Sequence, residues 1–282
     1  MSKKVIAILG MHRSGTSLIT SWLQDCGLHV GDRLLEANIG NDNGHFEDLD
    51  FLSFHEGLFL KNSLNHLNAK SDKILIDDID ISLANEIIKN KLEDKYIFGW
   101  KDPRTCIFLN NIWSKVDYDI HYLFIYRSFG QIINSLYNRH IKKLFTDYKY
   151  QLISNSIIKK LKNNLYIKLN RKSILEDFCT MYINYMEEIL KFYDSNGDKN
   201  KFMAVNINSA IINSLNIINT INNNWSISLK SLDLGLKFKE NQFNTTNINL
   251  KDIDRRIVEK CRLIDKKLYD LTINKNNQPV NE

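Results

Sequence analysis

Residues 10–17, with the sequence GMHRSGTS, have the residue types and the spacing of a loop that binds an anion. They follow a short apolar run at residues 5–9, and helical periodicity begins directly after them. A glycine turn between a buried strand and a helix directs backbone N–H groups and the positive end of the helix dipole into one concavity. The sequence therefore predicts an anion site in this loop, with Arg13 as its cation.

The loop lacks the lysine that a nucleoside triphosphatase requires. The spacing Gly10-x4-Gly15 matches the loop of those enzymes, but Thr16 stands where they have lysine. The apolar run at residues 121–126 ends in Arg127, where a magnesium-dependent enzyme would have a carboxylate. Both departures disfavour a metal-dependent phosphoryl transferase.

Two motifs occur in order along the chain, each on a predicted element. The sequence RSGTS at residues 13–17 follows the first strand, and Arg127 ends a later strand with Ser135 eight residues on. An Arg at the end of a strand and a Ser two turns into the next helix can converge on one phosphate. In both motifs the chain resembles the sulfotransferases that use 3′-phosphoadenosine 5′-phosphosulfate (PAPS), and the resemblance covers residues 5–139.

The resemblance implies PAPS as the cofactor and 3′-phosphoadenosine 5′-phosphate (PAP) as its product, with no metal. It implies that the amides and hydroxyls of the loop cradle the 5′-phosphate and that Arg127 and Ser135 grip the 3′-phosphate. Arg13 is expected to contact the transferring sulfate and the leaving phosphate. The cofactor-binding residues that the resemblance implies are His12, Arg13, Ser14, Gly15, Thr16, Ser17, Arg127 and Ser135.

A third segment, GHFE at residues 44–47, resembles the bacterial, carbohydrate and tyrosylprotein branches of this family. It lies where those enzymes place a glutamate near the acceptor, which implies Glu47 as the general base. His45 and His12 are alternative bases, because histidine has the better unperturbed pKa for the role. The structural alternatives for Glu47, with Asp48 and Asp50 nearby, are a solvated acidic loop and a charge at a helix N-terminus.

A fourth segment, KDPR at residues 101–104, resembles the Lys-Asp-Pro segment of the same branches. The resemblance implies that Lys101 stabilises the leaving oxygen and that Asp102 and Arg104 orient the segment. The structural alternative for Lys101 is a salt bridge to Asp102. The candidate catalytic residues are therefore Arg13, Glu47 and Lys101.

The chain departs from the cytosolic hormone and phenol sulfotransferases in two places. Leu18 follows the loop where those enzymes have Trp, and the late Arg-Lys-Gly that also binds the 3′-phosphate is absent. Arg255 and Arg256 lie late in the chain, but we expect them on the solvated face of an amphipathic helix. The contacts to adenine and a second contact to the 3′-phosphate are therefore unassigned.

Apolar patterning predicts the elements that position these residues. Short apolar runs indicate strands, and apolar positions at 3.6-residue spacing indicate helices between them. The predicted strands are residues 5–9, 96–100, 121–126 and 202–205, and the main helices follow residue 17 and residue 131 and lie near 83–92, 174–193, 211–221 and 253–268. The alternation predicts an α/β, P-loop-type three-layer fold, with a central parallel sheet flanked by helices and helical additions toward the C-terminus.

We expect a single domain over residues 1–282. Residues 1–139 are predicted to form the cofactor-binding core and residues 173–282 a helical C-terminal part. Residues 140–172 are predicted to be a lid or an insertion, with a solvated helical segment as the alternative. Residues 226–250 have no pattern that assigns them to an element.

Composition restricts the classes of partner and compartment. The chain has 38 basic and 33 acidic residues, and this balance is too even to indicate nucleic-acid binding. Its four cysteines are scattered without a CxxC pair, and no apolar run is long enough to cross a bilayer. We therefore expect a cytoplasmic protein. The resemblance to sulfotransferases implies that the acceptor is a hydroxyl on a glycan or a small metabolite, with a protein tyrosine as an alternative. The alternatives are an ATP-dependent small-molecule kinase and a non-catalytic nucleotide-binding protein.

Overall fold

The computed structural model describes residues 3–36, 44–146, 156–195, 198–237, 248–251 and 253–273. Its strands span Lys4–Leu9 (β1), Ile97–Lys101 (β2), Ile120–Tyr126 (β3), Phe202–Asn206 (β4) and Thr272–Ile273 (β5). They pair in parallel, in the order β2-β1-β3-β4-β5, within one sheet. The predicted α/β fold with a central parallel sheet is confirmed.

Helices connect the strands and cover both faces of the sheet. They span Thr16–Asp25 (α1), Leu49–Lys61 (α2), Asp78–Lys91 (α3), Thr105–Phe108 (α4), Phe129–Thr146 (α5), Ser156–Ser195 (α6), Ile207–Ile212 (α7), Ser214–Trp225 (α8) and Arg255–Leu271 (α9). A π-helical turn at Leu109–Trp113 continues α4. Short 3₁₀ turns occur at Ser71–Lys73, Lys199–Lys201 and Leu234–Leu236.

The core lies in two layers, one on each face of the sheet, because successive strand residues point to opposite faces. In β1, Val5, Ala7 and Leu9 belong to one layer, and Ile6 and Ile8 belong to the other. Side chains of α2 to α6 and α9 complete the first layer, and those of α1, α7 and α8 complete the second. The near-continuous apolar runs in the sequence are what a sheet covered on both faces requires.

Asp265 connects helix α9 to three other elements, namely β3, α5 and α6. Its Oδ1 atom accepts hydrogen bonds from the hydroxyl of Tyr126 (3.1 Å), the hydroxyl of Tyr182 (3.0 Å) and the backbone N–H of Phe129 (2.9 Å). Burial raises the pKa of the Asp265 carboxyl. Through these bonds α9 is connected to β3, α6 and α5, so the C-terminal part packs directly on the N-terminal core.

Several element assignments change in the structure. The helix predicted at residues 211–221 is two helices, α7 and α8, which meet at Asn213. The helix predicted at residues 174–193 is the second half of α6, whose described residues begin at Ser156. Strand β5 was not predicted, because two residues are too few for a periodicity to show.

The two weakly patterned segments are described only in part. The described residues of the predicted lid at 140–172 are helical, and residues 147–155 lie outside the described residues. Within the unassigned stretch 226–250, only the 3₁₀ turn at Leu234–Leu236 is regular among the described residues, and residues 238–247 lie outside them.

The four cysteines are buried thiols. Across the described ranges, the helices are too short or too polar to cross a membrane.

Candidate active site

The sheet order brings three chain segments to one edge. Strands β2, β1 and β3 are neighbours, and parallel strands end at the same edge of a sheet. Lys101 is the last residue of β2, the loop at residues 10–15 follows β1, and Arg127 follows β3. The three segments that the sequence singled out are therefore adjacent, although about a hundred residues separate the first from the last.

The loop has the tight geometry of an anion cradle. A Cβ atom at Gly10 would lie 2.6 Å from Ser14 Oγ and 2.7 Å from Thr16 Cγ2, so only glycine fits there. Gly15 has φ 96° and caps the N-terminus of α1, and Arg13 has φ 72°. The hydroxyl of Ser14 is buried and has no protein partner among the described residues. A buried donor of this kind, at a helix N-terminus, fits a phosphate oxygen.

Arg13, Arg127 and Ser135 come together beside the loop. The Nε atom of Arg13 donates to Ser135 Oγ (3.0 Å), and an Nη atom of Arg127 donates to the backbone oxygen of Arg13 (2.8 Å). Burial, together with the nearby charge of Arg13, lowers the pKa of Arg127 to about 10. Two guanidinium groups this close, beside a hydroxyl, are suited to a multiply charged anion.

The Arg13 side chain lies next to one of the two residues expected at the 3′-phosphate. The resemblance implied Arg13 at the transferring sulfate and the leaving phosphate, and Arg127 with Ser135 at the 3′-phosphate. In the structure the Arg13 side chain extends to α5 and bonds to Ser135. Arg13, Arg127 and Ser135 thus form one group beside the loop.

Hydrogen bonds to backbone oxygens hold the segment 44–48 in place. The hydroxyl of Ser17 donates to the backbone oxygen of His45 (3.1 Å), and the backbone N–H of Leu35 donates to the backbone oxygen of Glu47 (2.7 Å). Asp48 then caps α2 by accepting from the N–H of Asp50. Helix α2 begins at Leu49, so Glu47 lies directly before the N-cap residue of this helix.

Glu47 lies in a buried ion-pair cluster with Lys101, Arg104 and Asp102, which we call the Glu47 cluster. Its carboxylate accepts from Lys101 Nζ at 2.8 Å and lies 3.4 Å from an Arg104 Nη atom. Glu47 is 4% exposed and Lys101 is 2% exposed. The solvated-loop alternative for Glu47 is therefore wrong. The alternative of a Lys101–Asp102 salt bridge is also wrong, because Lys101 pairs with Glu47.

Asp102 orients the segment, as the sequence predicted. Its Oδ1 atom accepts from the backbone N–H of Arg104 (2.9 Å) and from an Arg104 Nη atom (2.8 Å). Its Oδ2 atom lies 2.9 Å from Nδ1 of His55. Burial alone would raise the pKa of Asp102, but Arg104 and His55 hold it well below its usual value.

His55 was not assigned a role from the sequence, yet it is fully buried under the Glu47 cluster. The indole Nε1 of Trp113 lies 3.2 Å from His55 Nε2, and an indole can only donate. His55 Nε2 must therefore accept, so its Nδ1 carries the proton that Asp102 receives in a hydrogen bond. No feature of the sequence indicates the contacts among His55, Asp102 and Trp113, because these residues lie on different elements.

Of the two histidines that the sequence named as alternative bases, His45 is buried and His12 is partly exposed, with its Nε2 atom buried. Burial lowers the pKa of His45, and it lowers that of His12 well below the usual value. The His12 ring packs against His66 and Tyr185, with ring centroids 6.0 Å apart in each pair. Both imidazoles are therefore neutral near pH 7.

Comparison with known proteins relates this chain to others by structure. The crystal structure of sulfotransferase STF9 from Mycobacterium avium aligns with 96% of this chain and 77% of that chain, with a TM-score of 0.58 at 12% sequence identity. This chain has a sulfotransferase fold. The sulfotransferase domain of the Synechococcus PCC 7002 olefin synthase aligns with 99% of this chain and 92% of that chain, with a TM-score of 0.41 at 15% identity. No protein-family model and no curated protein sequence matches the chain.

Within this sulfotransferase fold, most of the predicted site residues lie at one sheet edge. The loop residues, Arg127 and Ser135 form one group, in which the sequence predicts an anion site, and Glu47 and Lys101 form the adjacent ion-pair cluster. Arg255 and Arg256 point into solvent on α9, as the sequence predicted, with side chains 90% and 89% exposed.

Proposed function

We propose that this protein is a sulfotransferase that transfers a sulfuryl group from PAPS to a hydroxyl of a glycan or a small metabolite. The observation that carries the proposal is the convergence of Arg13, Arg127 and Ser135 next to the loop at residues 10–17 and the Glu47 cluster. One site thus combines two guanidinium groups, a phosphate cradle and a buried carboxylate. The sulfotransferase fold supports the same assignment.

The residues present fit the two phosphates of PAPS. Backbone amides at residues 15–17, with the buried hydroxyl of Ser14, would hold the 5′-phosphate at the N-terminus of α1. Arg127, Ser135 and Arg13 would hold the 3′-phosphate, since charge-assisted hydrogen bonds from arginine suit a phosphate. When bound, PAPS supplies the sulfuryl group on a phosphosulfate anhydride.

The Glu47 cluster would serve the acceptor. Glu47 accepts the proton of the acceptor hydroxyl, and its contacts with Lys101 and Arg104 hold the carboxylate in one orientation. Lys101 is buried, and its positive charge would stabilise the negative charge on the leaving oxygen of PAPS. His45 and His12 are neutral and stay alternative proton acceptors in this proposal.

The proposal is tested first by calorimetric titration of the protein with PAP, ATP and GTP, each with and without magnesium. PAP should bind without magnesium and more tightly than ATP or GTP. Arg127→Ala should weaken PAP binding about ten- to hundredfold, because it removes charged hydrogen bonds to the 3′-phosphate. Arg256→Ala, which removes an exposed arginine on α9, is the matched control and should bind PAP as the wild type does.

Other outcomes would select the alternatives. Magnesium-dependent binding of ATP or GTP, with no preference for PAP, would favour the small-molecule kinase and reject PAPS as the donor. PAP binding without any consumption of PAPS, across a panel of hydroxyl acceptors, would favour a non-catalytic nucleotide-binding protein.

A further inference from the structure

The first half of helix α6 exposes a row of leucine side chains to solvent. Leu161, Leu165 and Leu169 are 63%, 57% and 72% exposed, and we call these three residues the leucine row. They are four residues apart, so they lie one above the other on one face of the helix, over a length of about 12 Å. Single exposed leucines are common, but a continuous row of large apolar side chains is typical of an interaction surface.

The opposite face of this part of α6 packs on the rest of the protein. The side chain of Asn163 donates to the backbone oxygen of Leu144 on α5 (2.8 Å), and the guanidinium carbon of Arg171 lies 5.7 Å from the ring centroid of Tyr137 on the same helix. With 3.6 residues per turn, Leu165 lies about 160° around the helix from Asn163. The leucine row therefore points away from the core, so it contributes little to the stability of the fold.

Positive charge surrounds the leucine row. Residues 156–174 contain six basic residues and no Asp or Glu, whereas the two signs are nearly balanced over the whole chain. Four exposed lysines lie on both sides of the leucine row and at its end, namely Lys160, Lys162, Lys168 and Lys172. Of these, Lys172 lies 3.9 Å from a carboxylate oxygen of Glu176 in the next turn. This part of α6 is thus a basic amphipathic helix whose apolar side faces solvent.

These features together favour a partner that is both apolar and anionic. A second copy of the chain that used the same face would bring the lysines of both copies together, which is electrostatically unfavourable. Lysine is also depleted at protein–protein interfaces. At the surface of an anionic bilayer, in contrast, leucines enter the boundary of the acyl chains while lysine stems extend to the headgroups.

We propose that the first half of α6 is an interfacial helix, which binds the surface of a membrane that contains anionic lipids. The leucine row enters the bilayer and the flanking lysines bind the headgroups. The core of the protein stays outside the bilayer, because it packs on the opposite face of the helix. This inference does not depend on the proposed sulfotransferase function.

Helix α3 offers a matched control for the leucine row. Ile79 is 70% exposed, close to the value for Leu169, but it follows two acidic residues, Asp77 and Asp78. Ile79→Gln therefore removes an exposed apolar side chain of the same size from a place where an anionic membrane would be repelled. It should leave membrane binding unchanged.

Co-sedimentation of the full chain with lipid vesicles tests the proposal. The vesicles consist of phosphatidylcholine alone, or of phosphatidylcholine with about 30% phosphatidylserine, which is anionic. We expect binding only to the vesicles with phosphatidylserine, and weaker binding when NaCl is raised from about 0.1 M to about 0.5 M, because salt screens the lysines.

Two variants separate the roles of leucine and lysine. The triple variant Lys160→Gln, Lys162→Gln, Lys168→Gln should weaken binding to the anionic vesicles about a hundredfold. The double variant Leu165→Gln, Leu169→Gln should weaken it at least about tenfold, because it removes the apolar groups that enter the bilayer. Both variants change exposed side chains, so their midpoints of thermal unfolding should match that of the wild type.

Several outcomes would overturn the proposal. Absence of binding to the anionic vesicles rejects it, and so does equal binding to vesicles of phosphatidylcholine alone. Loss of binding in the lysine variant but not in the leucine variant would show adsorption by charge, without entry of the leucine row. Self-association in analytical ultracentrifugation that the leucine variant abolishes, without vesicle binding, would instead assign this face to a second copy of the chain.

Discussion

At the residue scale, Glu47 is the side chain whose environment is most unusual. It lies in the interior with cationic groups of Lys101 and Arg104 at its two carboxylate oxygens, and Arg104 is held in turn by Asp102. Buried ion pairs often add little net stability, because both charges lose their hydration. A cluster of this kind at the edge of the sheet where the anion loop lies is therefore better explained by chemistry than by stability.

We expect Glu47→Gln to lower the rate of sulfuryl transfer by about 10²- to 10⁴-fold, the range for loss of a general base. PAP affinity should stay within about twofold of the wild type, because the Glu47 carboxylate is bonded to Lys101 and Arg104. The measurement is single-turnover transfer from PAPS alongside PAP calorimetry.

Glu188→Gln is the control for this substitution. Glu188, near the C-terminal end of α6, is a buried carboxylate that accepts hydrogen bonds from Asn110 and Lys191. It should cost stability without affecting transfer. Full transfer activity in Glu47→Gln would rule out Glu47 as the base and favour His45 or His12.

At the element scale, the turn from β1 to α1 depends on the absence of a side chain at Gly10. A Cβ there would approach Ser14 Oγ and Thr16 Cγ2 to less than 3 Å and would lie 3.0 Å from the backbone oxygen of Ile125 on β3. The neighbouring strand closes one side of the loop, so the loop has no room to shift. The loop conformation is thus imposed by the sheet as well as by its own residues.

We expect Gly10→Ala to destabilise the protein by about 1–3 kcal/mol, as overpacking does, and to weaken PAP binding more than tenfold. Urea unfolding and PAP calorimetry measure the two effects. Gly57→Ala, at an open position within α2, is the control. It should stabilise the protein by about 0.5–1 kcal/mol through helix propensity and leave PAP binding unchanged. Unchanged PAP affinity in Gly10→Ala would refute the role of this loop.

At the scale of the whole molecule, we expect stability to depend on pH because the pKa of several histidines is lowered in the fold. Burial lowers the pKa of five of them: His12, His45, His66, His121 and His140. They lie in the loop, near the site and at the opposite end of the sheet, so the effect is spread over the fold. A lowered pKa in the folded state means that the unfolded chain binds these protons first as the pH falls.

We therefore expect stability to be highest above about pH 6.5, the unfolded value for histidine, and to fall as the pH decreases below it. A single histidine that stays neutral down to pH 5.5 accounts for about 1.3 kcal/mol of this loss. Urea unfolding at pH 7.5 and pH 5.5 measures it. His121→Phe, which keeps a ring beside Trp225, should show a smaller loss than the wild type. Equal stability of the wild type at both pH values would contradict the prediction.

The sequence by itself determined the features that depend on neighbouring residues. Four of the five strands, most of the helices and the anion loop follow from apolar runs, periodicity and the glycines at positions 10 and 15, because these patterns act within a few residues. The sequence also predicted the relation of Arg127 to Ser135, because both residues lie on one strand–helix unit.

Only the tertiary structure decided which distant side chains meet. Glu47 pairs with Lys101 and Arg104 because α2 and β2 pack together, and the Arg13 side chain bonds to Ser135 across the loop. Tyr182 and Tyr185 are equivalent as apolar positions in the pattern of α6. One has a partner among the described residues and the other has none, because the position of a helix relative to its neighbours is set by the packing of the whole core.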